Sequence, residues 1–228
     1  MRIAILGTGH LAEALGACWV RAGHRVTVAG RVPERAEALA ARLNRAALPG
    51  ARGDSGAVAA EPAARAATPR DVVRGADAVL LAVPWDAAAE VVEAAGGADG
   101  SWAGLPVIDP TNPVGHGVGV VLNPPGVSNA QRIADAAPGS HVVKGFHLVP
   151  STQWGSAGAE TTVVLCGDDP AALETTSTLV RDAGAVPAVL GPLARARQLE
   201  EAAGLLIALA FAGVDARTVV PALPPVQV

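Results

Sequence analysis

The chain of 228 residues has few aromatic residues and few cysteines. It has no tyrosine, two phenylalanines and two cysteines, and only 3% of its residues are aromatic. So few rings exclude a ligand cleft built from aromatic side chains. Cys18 and Cys166 lack the C-x-x-C spacing of a redox or zinc motif. We therefore expect two buried thiols, and we predict no metal site.

An excess of basic residues is also missing. The chain has 17 Lys and Arg residues against 21 Asp and Glu residues, with a net charge of -4, and Lys144 is its single lysine. Binding to a phosphate backbone requires a basic surface, so nucleic acid is not an expected partner. Because 50% of the residues are hydrophobic and only 17% are charged, the chain can bury a large core.

Long hydrophobic runs are absent as well. The longest uncharged apolar stretch, residues 202–214, is shorter than the roughly 18 to 20 residues that a membrane-spanning helix needs. The first seven residues do not have the pattern of a signal peptide. We expect a cytoplasmic protein with no membrane partner.

Short Val, Ile and Leu runs alternate with alanine-rich helical segments along the whole chain. This alternation predicts an α/β protein with a Rossmann-type doubly wound parallel sheet. Residues 1–150 are predicted to form the nucleotide-binding domain, and residues 151–228 a smaller C-terminal α/β lobe. Segment 46–70 has no clear period and stays open between loop and strand. The predicted strands are 2–6, 25–29, 78–83, 105–109, 141–146, 161–166 and 186–190, and the predicted helices are 10–22, 33–44, 86–95, 126–136, 170–183 and 193–212.

A glycine-rich turn follows the first predicted strand. The sequence Gly7-Thr8-Gly9-His10-Leu11-Ala12 has the form G-x-G-x-x-A and opens a helix. The free N–H groups of such a turn and the helix dipole bind a pyrophosphate. We therefore predict cofactor contacts at Gly7, Thr8, Gly9, His10 and Leu11; the alternative is a glycine turn without a ligand.

The end of the second predicted strand indicates which dinucleotide binds. An NAD site usually has an acidic residue there to bind the ribose 2′-hydroxyl, and this chain has none. Instead it has Gly30, which leaves room, and the cations Arg31 and Arg35, which can pair with a 2′-phosphate. This pattern favours NADP(H), although two solvated charges at a helix start would look the same.

Several further motifs carry a resemblance to a known family. Together they resemble the NADPH-dependent reductases of coenzyme F420, a deazaflavin, within a superfamily that includes the pyrroline-5-carboxylate reductases. The resemblance runs from Met1 to about Phe211. The motifs are the glycine turn, Arg31, Val83-Pro84-Trp85, Gly145 to Pro150, Cys166-Gly167-Asp168-Asp169 and Gly191-Pro192-Leu193.

The resemblance implies an enzyme with two small-molecule partners, NADP(H) and coenzyme F420, that works as a homodimer. The last helix would supply the dimer contact. The family often has a serine at the position of Gly30, so one phosphate hydrogen bond is expected to be missing. The adenosine and nicotinamide riboses would pass Val83, Pro84, Trp85 and Ala87, although Trp85 could equally be a core residue.

Three polar residues are candidates for contacts at the reacting rings. Asn112 could bind the carboxamide or a ribose, and Ser151 could bind the nicotinamide amide or the acceptor. His147 is the candidate catalytic residue, which would orient the deazaflavin or donate a proton; a structural histidine is the alternative. Hydride transfer itself needs stacked rings rather than a nucleophile. The cations available for an acidic acceptor tail are Arg132, Lys144, Arg195 and Arg197.

Two other functions remain open from the sequence. One is an NADPH-dependent imine or pyrroline-type reductase, in which the glycine-rich loop 111–119 would line a substrate pocket and His147 would donate a proton. The other is a non-catalytic regulator that senses NADP(H).

Overall fold

A single mixed sheet organises the protein in the computed structural model, which describes residues 1–47, 61–155 and 161–219. The described strands lie in the order β3-β2-β1-β4-β5-β6-β7-β8, and all neighbours are parallel except β6 and β7. Helices cover both faces, so the predicted Rossmann-type α/β fold is confirmed. The strands are β1 (Arg2–Leu6), β2 (Arg25–Ala29), β3 (Ala64–Ala66), β4 (Ala78–Leu81), β5 (Pro106–Asp109), β6 (His141–Lys144), β7 (Thr162–Gly167) and β8 (Val186–Gly191).

The helices pack in two layers, and each layer closes its own hydrophobic core. One core lies between the sheet and the helices α1, α2 and α5, and the other lies under α3, α4 and the start of α6. The central strands β1, β4, β5 and β6 are largely buried on both faces, which explains why they are mostly apolar, whereas the edge strands β3 and β8 are partly exposed. The helices are α1 (His10–Arg21), α2 (Pro33–Ala47), α3 (Ala88–Ala94), α4 (Asn129–Ala136), α5 (Pro170–Asp182) and α6 (Ala196–Phe211).

Local signals placed the starts of α1, α2 and α5 correctly, whereas α3, α4 and α6 begin two or three residues after their predicted starts. Pro33 and Pro170 are the first residues of α2 and α5, where a missing N–H costs nothing. The Asp169 side chain caps α5 by accepting a hydrogen bond from the Ala172 N–H at 2.7 Å. Its neighbour Asp168 serves another element, because its carboxylate accepts from the Leu193 N–H at 2.8 Å.

The open segment 46–70 contains β3, which pairs with β2 at the edge of the sheet. Residues 48–60 of that segment lie outside the described residues. Beyond residue 150, β7 continues the same sheet by pairing with β6 in antiparallel orientation. The division at residue 150 stays a prediction.

The last helix is only partly covered. Leu199 and Ala203 in its first half are buried, whereas Leu205 is 57% exposed and Phe211 58% exposed. In the described parts of the chain, no helix is both long enough and apolar enough to cross a membrane.

Candidate active site

The carboxyl ends of the parallel strands surround a cavity of about 290 Å³. Loops leave β1, β2 and β4 at this edge, which is where open α/β sheets bind their ligands. Nine of the residues predicted to bind the cofactor lie together in its wall: Gly7, Thr8, Gly9, Gly30, Arg31, Arg35, Val83, Pro84 and Ala87.

The two glycines of the turn have different structural roles. Gly7 has a φ of +127°, and a Cβ there would overlap the Ala82 carbonyl oxygen on the neighbouring β4 loop. Gly9 is the N-cap of α1 with a φ of -86°, and a Cβ built on it would meet nothing within 4 Å. Gly7 thus lets the chain pass close to β4, whereas Gly9 leaves open space beside the first N–H groups of a helix.

The basic wall of the cavity is formed by Arg31 and Arg35. Both side chains are exposed, and neither has a hydrogen-bond or ion-pair partner among the described residues. Arg42, further along α2, is by contrast held by Glu13 through bonds of 2.7 and 3.0 Å. Two unpaired guanidinium groups at one cavity can bind a phosphate with charge-assisted hydrogen bonds.

The Thr8 side chain packs so close to position 30 that glycine fits best there. A Cβ on Gly30 would lie 2.8 Å from the Thr8 Cγ2 methyl group, so a serine there would force Thr8 to move. The phosphate contact that a serine would supply is therefore replaced by close packing between the two loops.

A second depression of about 330 Å³ adjoins the cavity and shares Thr8, Gly9 and Arg35 with it. Its wall contains His10, another predicted contact. Leu11 instead packs on the hydrophobic core, and Trp85 is half-buried and presents its carbonyl to Asn129 at 3.3 Å. Ser151 lies in a short helical turn after β6. All of the predicted cofactor contacts stay predictions, those at Leu11, Trp85 and Ser151 included.

Asn112 and His147 form a separate polar pair at the ends of β5 and β6. The Asn112 side-chain amide donates to the His147 carbonyl at 2.7 Å. Three buried atoms of this pair have no partner among the described residues, namely the Asn112 Oδ1 and both ring nitrogens of His147. Buried polar atoms are nearly always hydrogen-bonded, so this pair offers one acceptor and one imidazole to a ligand.

The His147 imidazole is uncharged at neutral pH. The ring is 7% exposed, and burial, with a smaller effect of the nearby Lys144 ammonium, lowers its pKa from 6.5 to about 3. A neutral ring can donate one N–H and accept at its other nitrogen. This state suits a group that orients a ligand, whereas an imidazolium proton donor would need a much higher pKa.

We expect the buried imidazole to make stability pH-dependent. The unfolded chain binds a proton near pH 6.5 and the folded protein does so only near pH 3, so the free energy of unfolding falls with falling pH in that window. The loss from this group is about 2 kcal/mol between pH 7 and pH 5. Urea unfolding of the wild type and of His147→Gln at both pH values measures it. If the free energy of unfolding depends on pH equally in the two proteins, the lowered pKa of His147 is contradicted.

A buried ionic network lies beneath this polar pair, and sequence reasoning missed it. Lys144 is 0% exposed and its ammonium lies 3.0 Å from Asp109 Oδ2 and 3.1 Å from Glu200 Oε1, with a third bond to the Thr111 carbonyl. The predicted use of Lys144 for an acceptor tail is therefore wrong, because all three of its protons are used inside the protein.

The same network fixes the loops around the site. The Asp109 carboxylate accepts from the Thr111 N–H and hydroxyl at 2.8 and 2.6 Å. The Asn129 side chain donates to the Thr111 hydroxyl at 2.7 Å, and its backbone N–H donates to Glu200 at 2.8 Å. Burial, reinforced by Asp109 and opposed by Lys144, raises the pKa of the Glu200 carboxyl. The members of this network are isolated from one another in the sequence, so no local motif predicts that they meet.

The other predicted tail cations also have protein partners. The Arg132 guanidinium binds the Asn123 side chain at 3.1 Å, and Arg195 binds Gln198 at 2.9 Å. Arg197 binds Glu201 at 2.8 Å and the Val127 carbonyl at 2.9 Å.

Comparison with known proteins adds to this geometry. Residues 2–113 match the sequence profile of the family described as NADP oxidoreductase, coenzyme F420-dependent. Over these residues the chain is similar to this family. The match ends just after Asn112 and covers the whole cavity, so the predicted resemblance to this family and the predicted class of enzyme, the NADP-dependent oxidoreductases, are confirmed.

Solved structures of similar fold extend over most of the chain. A protein from Arthrobacter sp. FB24, whose proposed activity is that of an F420-dependent NADP-reductase, is 26% identical with a TM-score of 0.73 over 93% of this chain and 95% of its own. A hypothetical protein from Sinorhizobium meliloti is 24% identical with a TM-score of 0.68, covering 85% of this chain and 86% of its own.

A reductive aminase from Aspergillus terreus, solved with NADPH and ethyl levulinate, is 21% identical with a TM-score of 0.64. The alignment covers 93% of this chain but only 62% of the aminase. At this identity the likeness concerns the fold alone.

Proposed function

We propose that this protein transfers a hydride between NADP(H) and coenzyme F420. The observation that carries the proposal is one cavity that joins an open glycine turn to two arginines without a partner among the described residues. At the same sheet edge lies His147, whose neutral ring likewise has no partner there. When bound, the reduced nicotinamide supplies the hydride, and the deazaflavin accepts it.

The residues at the cavity fit the adenosine end of NADP(H). The N–H groups after Gly9 would bind the pyrophosphate, since no side chain among the described residues caps the start of α1 with a hydrogen bond. Arg31 and Arg35 would bind the 2′-phosphate, which NADP(H) has and NAD(H) lacks. Val83, Pro84 and Ala87 would form the apolar wall beside the riboses.

Asn112 and His147 would orient the reacting rings. Because the Asn112 amide nitrogen is already bound to the His147 carbonyl, its free atom is the acceptor Oδ1. An acceptor beside an imidazole N–H complements an amide edge, in which a C=O and an N–H lie side by side. The nicotinamide carboxamide and the dione ring of the deazaflavin both have such an edge. Positioning of this kind supplies most of the acceleration in hydride transfer.

We propose in addition that the enzyme is a cytoplasmic homodimer. The exposed apolar side of α6, with Leu205 and Phe211, supports a face for a second copy. His116 packs edge-on against Phe211 with ring centroids 5.0 Å apart, so the loop after β5 borders the same face.

An imine or pyrroline-type reductase is the second candidate. The loop after β5 closes with a bridge between Val114 and Val121 and lies against α6, where Gly119 contacts Gly204. Exposed Val118 and Val120 on that loop could face an apolar substrate. Against this candidate, a neutral His147 is a weak acid for protonating an amine product.

The deciding experiment mixes the purified protein with NADPH and oxidised F420 and follows the visible absorbance of the deazaflavin. Loss of absorbance with matching oxidation of NADPH supports the proposal. NADPH that binds tightly with no loss of absorbance overturns it. In that case turnover with a cyclic imine identifies a reductase of the second kind, and no turnover identifies a sensor.

The phosphate site can be tested separately with Arg31→Ala. We expect KM for NADPH to rise about 10- to 100-fold and KM for NADH to stay within twofold, because a charge-assisted hydrogen bond to a phosphate contributes about 1.5–3 kcal/mol. Arg45→Ala is the matched control, since it removes the same charge from the exposed far end of α2. Equal effects of Arg31→Ala on both nucleotides would contradict the assignment.

A further inference from the structure

Phe146 has a strained backbone. Among the described residues it is the only one other than glycine with a positive φ, at +62°. The left-handed conformation is unfavourable for a residue with a Cβ, and it persists only where the surroundings impose it. Strain of this kind is concentrated at functional sites, and Phe146 directly precedes His147.

Aromatic packing holds the strained residue in place. Phe146 is 2% exposed, and its ring packs edge-on against Trp19, with centroids 6.0 Å apart, and in a tilted arrangement against Trp154 at 5.4 Å. Trp19 is itself fixed, because its indole N–H donates to the Leu179 carbonyl at 2.9 Å. The ring of Phe146 is therefore anchored between α1 and the segment after β6.

The chain before Phe146 lies close to strand β7. A Cβ on Gly145 would lie 2.5 Å from the Leu165 Cδ2 atom of β7, so any larger residue there would force the Leu165 side chain to shift. Strand β6 ends at Lys144, two residues before the predicted end at Phe146. The chain bends at Phe146, directly before His147.

The turn places two groups of His147. Its carbonyl faces the Asn112 amide at 2.7 Å, and its imidazole is buried with both ring nitrogens unpartnered among the described residues. Release of the turn would move both groups together and would also free the Asn112 side chain.

We infer that Phe146 is a positioning residue: its buried ring imposes the left-handed turn that presents His147 and Asn112 to the reacting rings. Phe146 need not touch either cofactor. The inference rests on the proposed function for its effect on catalysis, whereas its effect on His147 can be measured without any ligand.

Phe146→Ala and Phe146→Gly form a matched pair. Both remove the ring, but alanine retains the cost of a positive φ and glycine does not. We expect the backbone of Phe146→Ala to leave the left-handed conformation, whereas the backbone of Phe146→Gly can still adopt it. With saturating NADPH, kcat for F420 reduction should fall about tenfold in Phe146→Ala and by less in Phe146→Gly, although glycine removes more of the side chain.

Titration of His147 by NMR with labelled histidine gives a readout that is independent of activity. The chain has five histidines, and His147→Gln assigns the signal. In the wild type the ring should remain neutral down to low pH, whereas in Phe146→Ala it should titrate near pH 6.5, the ordinary pKa of histidine. Phe146→Leu, which keeps apolar volume, should shift the titration in the same direction if Phe146→Ala does not fold.

Val143→Ala provides the control for a general loss of packing. Val143 is buried in the same strand, three residues before Phe146. We expect this variant to lose stability while the His147 titration and kcat stay as in the wild type. An unchanged His147 titration in Phe146→Ala or Phe146→Leu, or a glycine variant less active than the alanine variant, overturns the inference. If wild-type protein does not reduce F420, the proposed function fails while the titration still decides the role of Phe146.

Discussion

Gly9→Ala is expected to lose most of the affinity for NADPH while the protein still folds. A methyl group at this position meets no protein atom within 4 Å, so it can be accommodated in the empty turn. It would, however, stand where a pyrophosphate must approach the backbone N–H groups. Loss of two charge-assisted hydrogen bonds would weaken NADPH binding about 100-fold or more. The cost in stability should stay near 1 kcal/mol, since alanine is a poorer N-cap than glycine.

Gly7→Ala is the matched comparison, and we expect the opposite result. Its methyl group would overlap the Ala82 carbonyl oxygen, and its φ of +127° is unfavourable for alanine. We expect a loss of about 3 kcal/mol or more in stability, from steric overlap and backbone strain together. Thermal unfolding and calorimetric titration with NADPH separate the two effects. A Gly9→Ala protein that binds NADPH normally would show that the turn is not the pyrophosphate site.

Lys144→Met is expected to be the most destabilising single substitution in the buried network. It removes the cation between Asp109 and Glu200 and leaves two carboxylates buried without a counter-charge. Removal of one partner from a buried ion pair costs about 3–5 kcal/mol, because the remaining charge is uncompensated. Chemical denaturation of the wild type and of Lys144→Met at the same pH measures the difference in the free energy of unfolding.

Removing the carboxylate charges should restore much of this loss. In the triple variant Lys144→Met, Asp109→Asn, Glu200→Gln, the amide oxygens can still accept from the Thr111 and Asn129 N–H groups. Replacement of a whole buried ionic cluster is often close to neutral. If Lys144→Met alone costs less than about 1 kcal/mol, the network contributes little to stability.

Short-range signals made most of the fold predictable. Strands between two helical layers must be apolar on both faces, and Pro33, Pro170 and Asp169 mark helix starts through their own backbone chemistry. The same holds for the glycine turn and for Arg31 and Arg35, which lie within a few residues of a strand end. Strand β3 has only three residues, with an arginine in the middle, and no such signal marks it. The sequence therefore does not distinguish a strand from a loop in this segment.

The predicted part of the site could be found because each motif carries its chemistry in consecutive residues. The buried ionic network, which the sequence does not predict, depends on residues that are far apart in the chain. Lys144 meets Asp109 across 35 positions and Glu200 across 56, and neither separation is visible as a pattern. A single lysine in an arginine-rich chain therefore looked like an exposed cation until the fold placed it at 0% exposure.

By itself, the sequence determined the sheet type and the preference for NADP(H), and it predicts the nucleotide-binding edge, because each follows from local periodicity, turn chemistry or charge. Only the tertiary structure decided the charge state of His147, the burial of Lys144 and the strained turn at Phe146. The reason is physical: desolvation, ion pairing and imposed strain depend on how closely distant segments approach, and that distance exists only once the chain has folded.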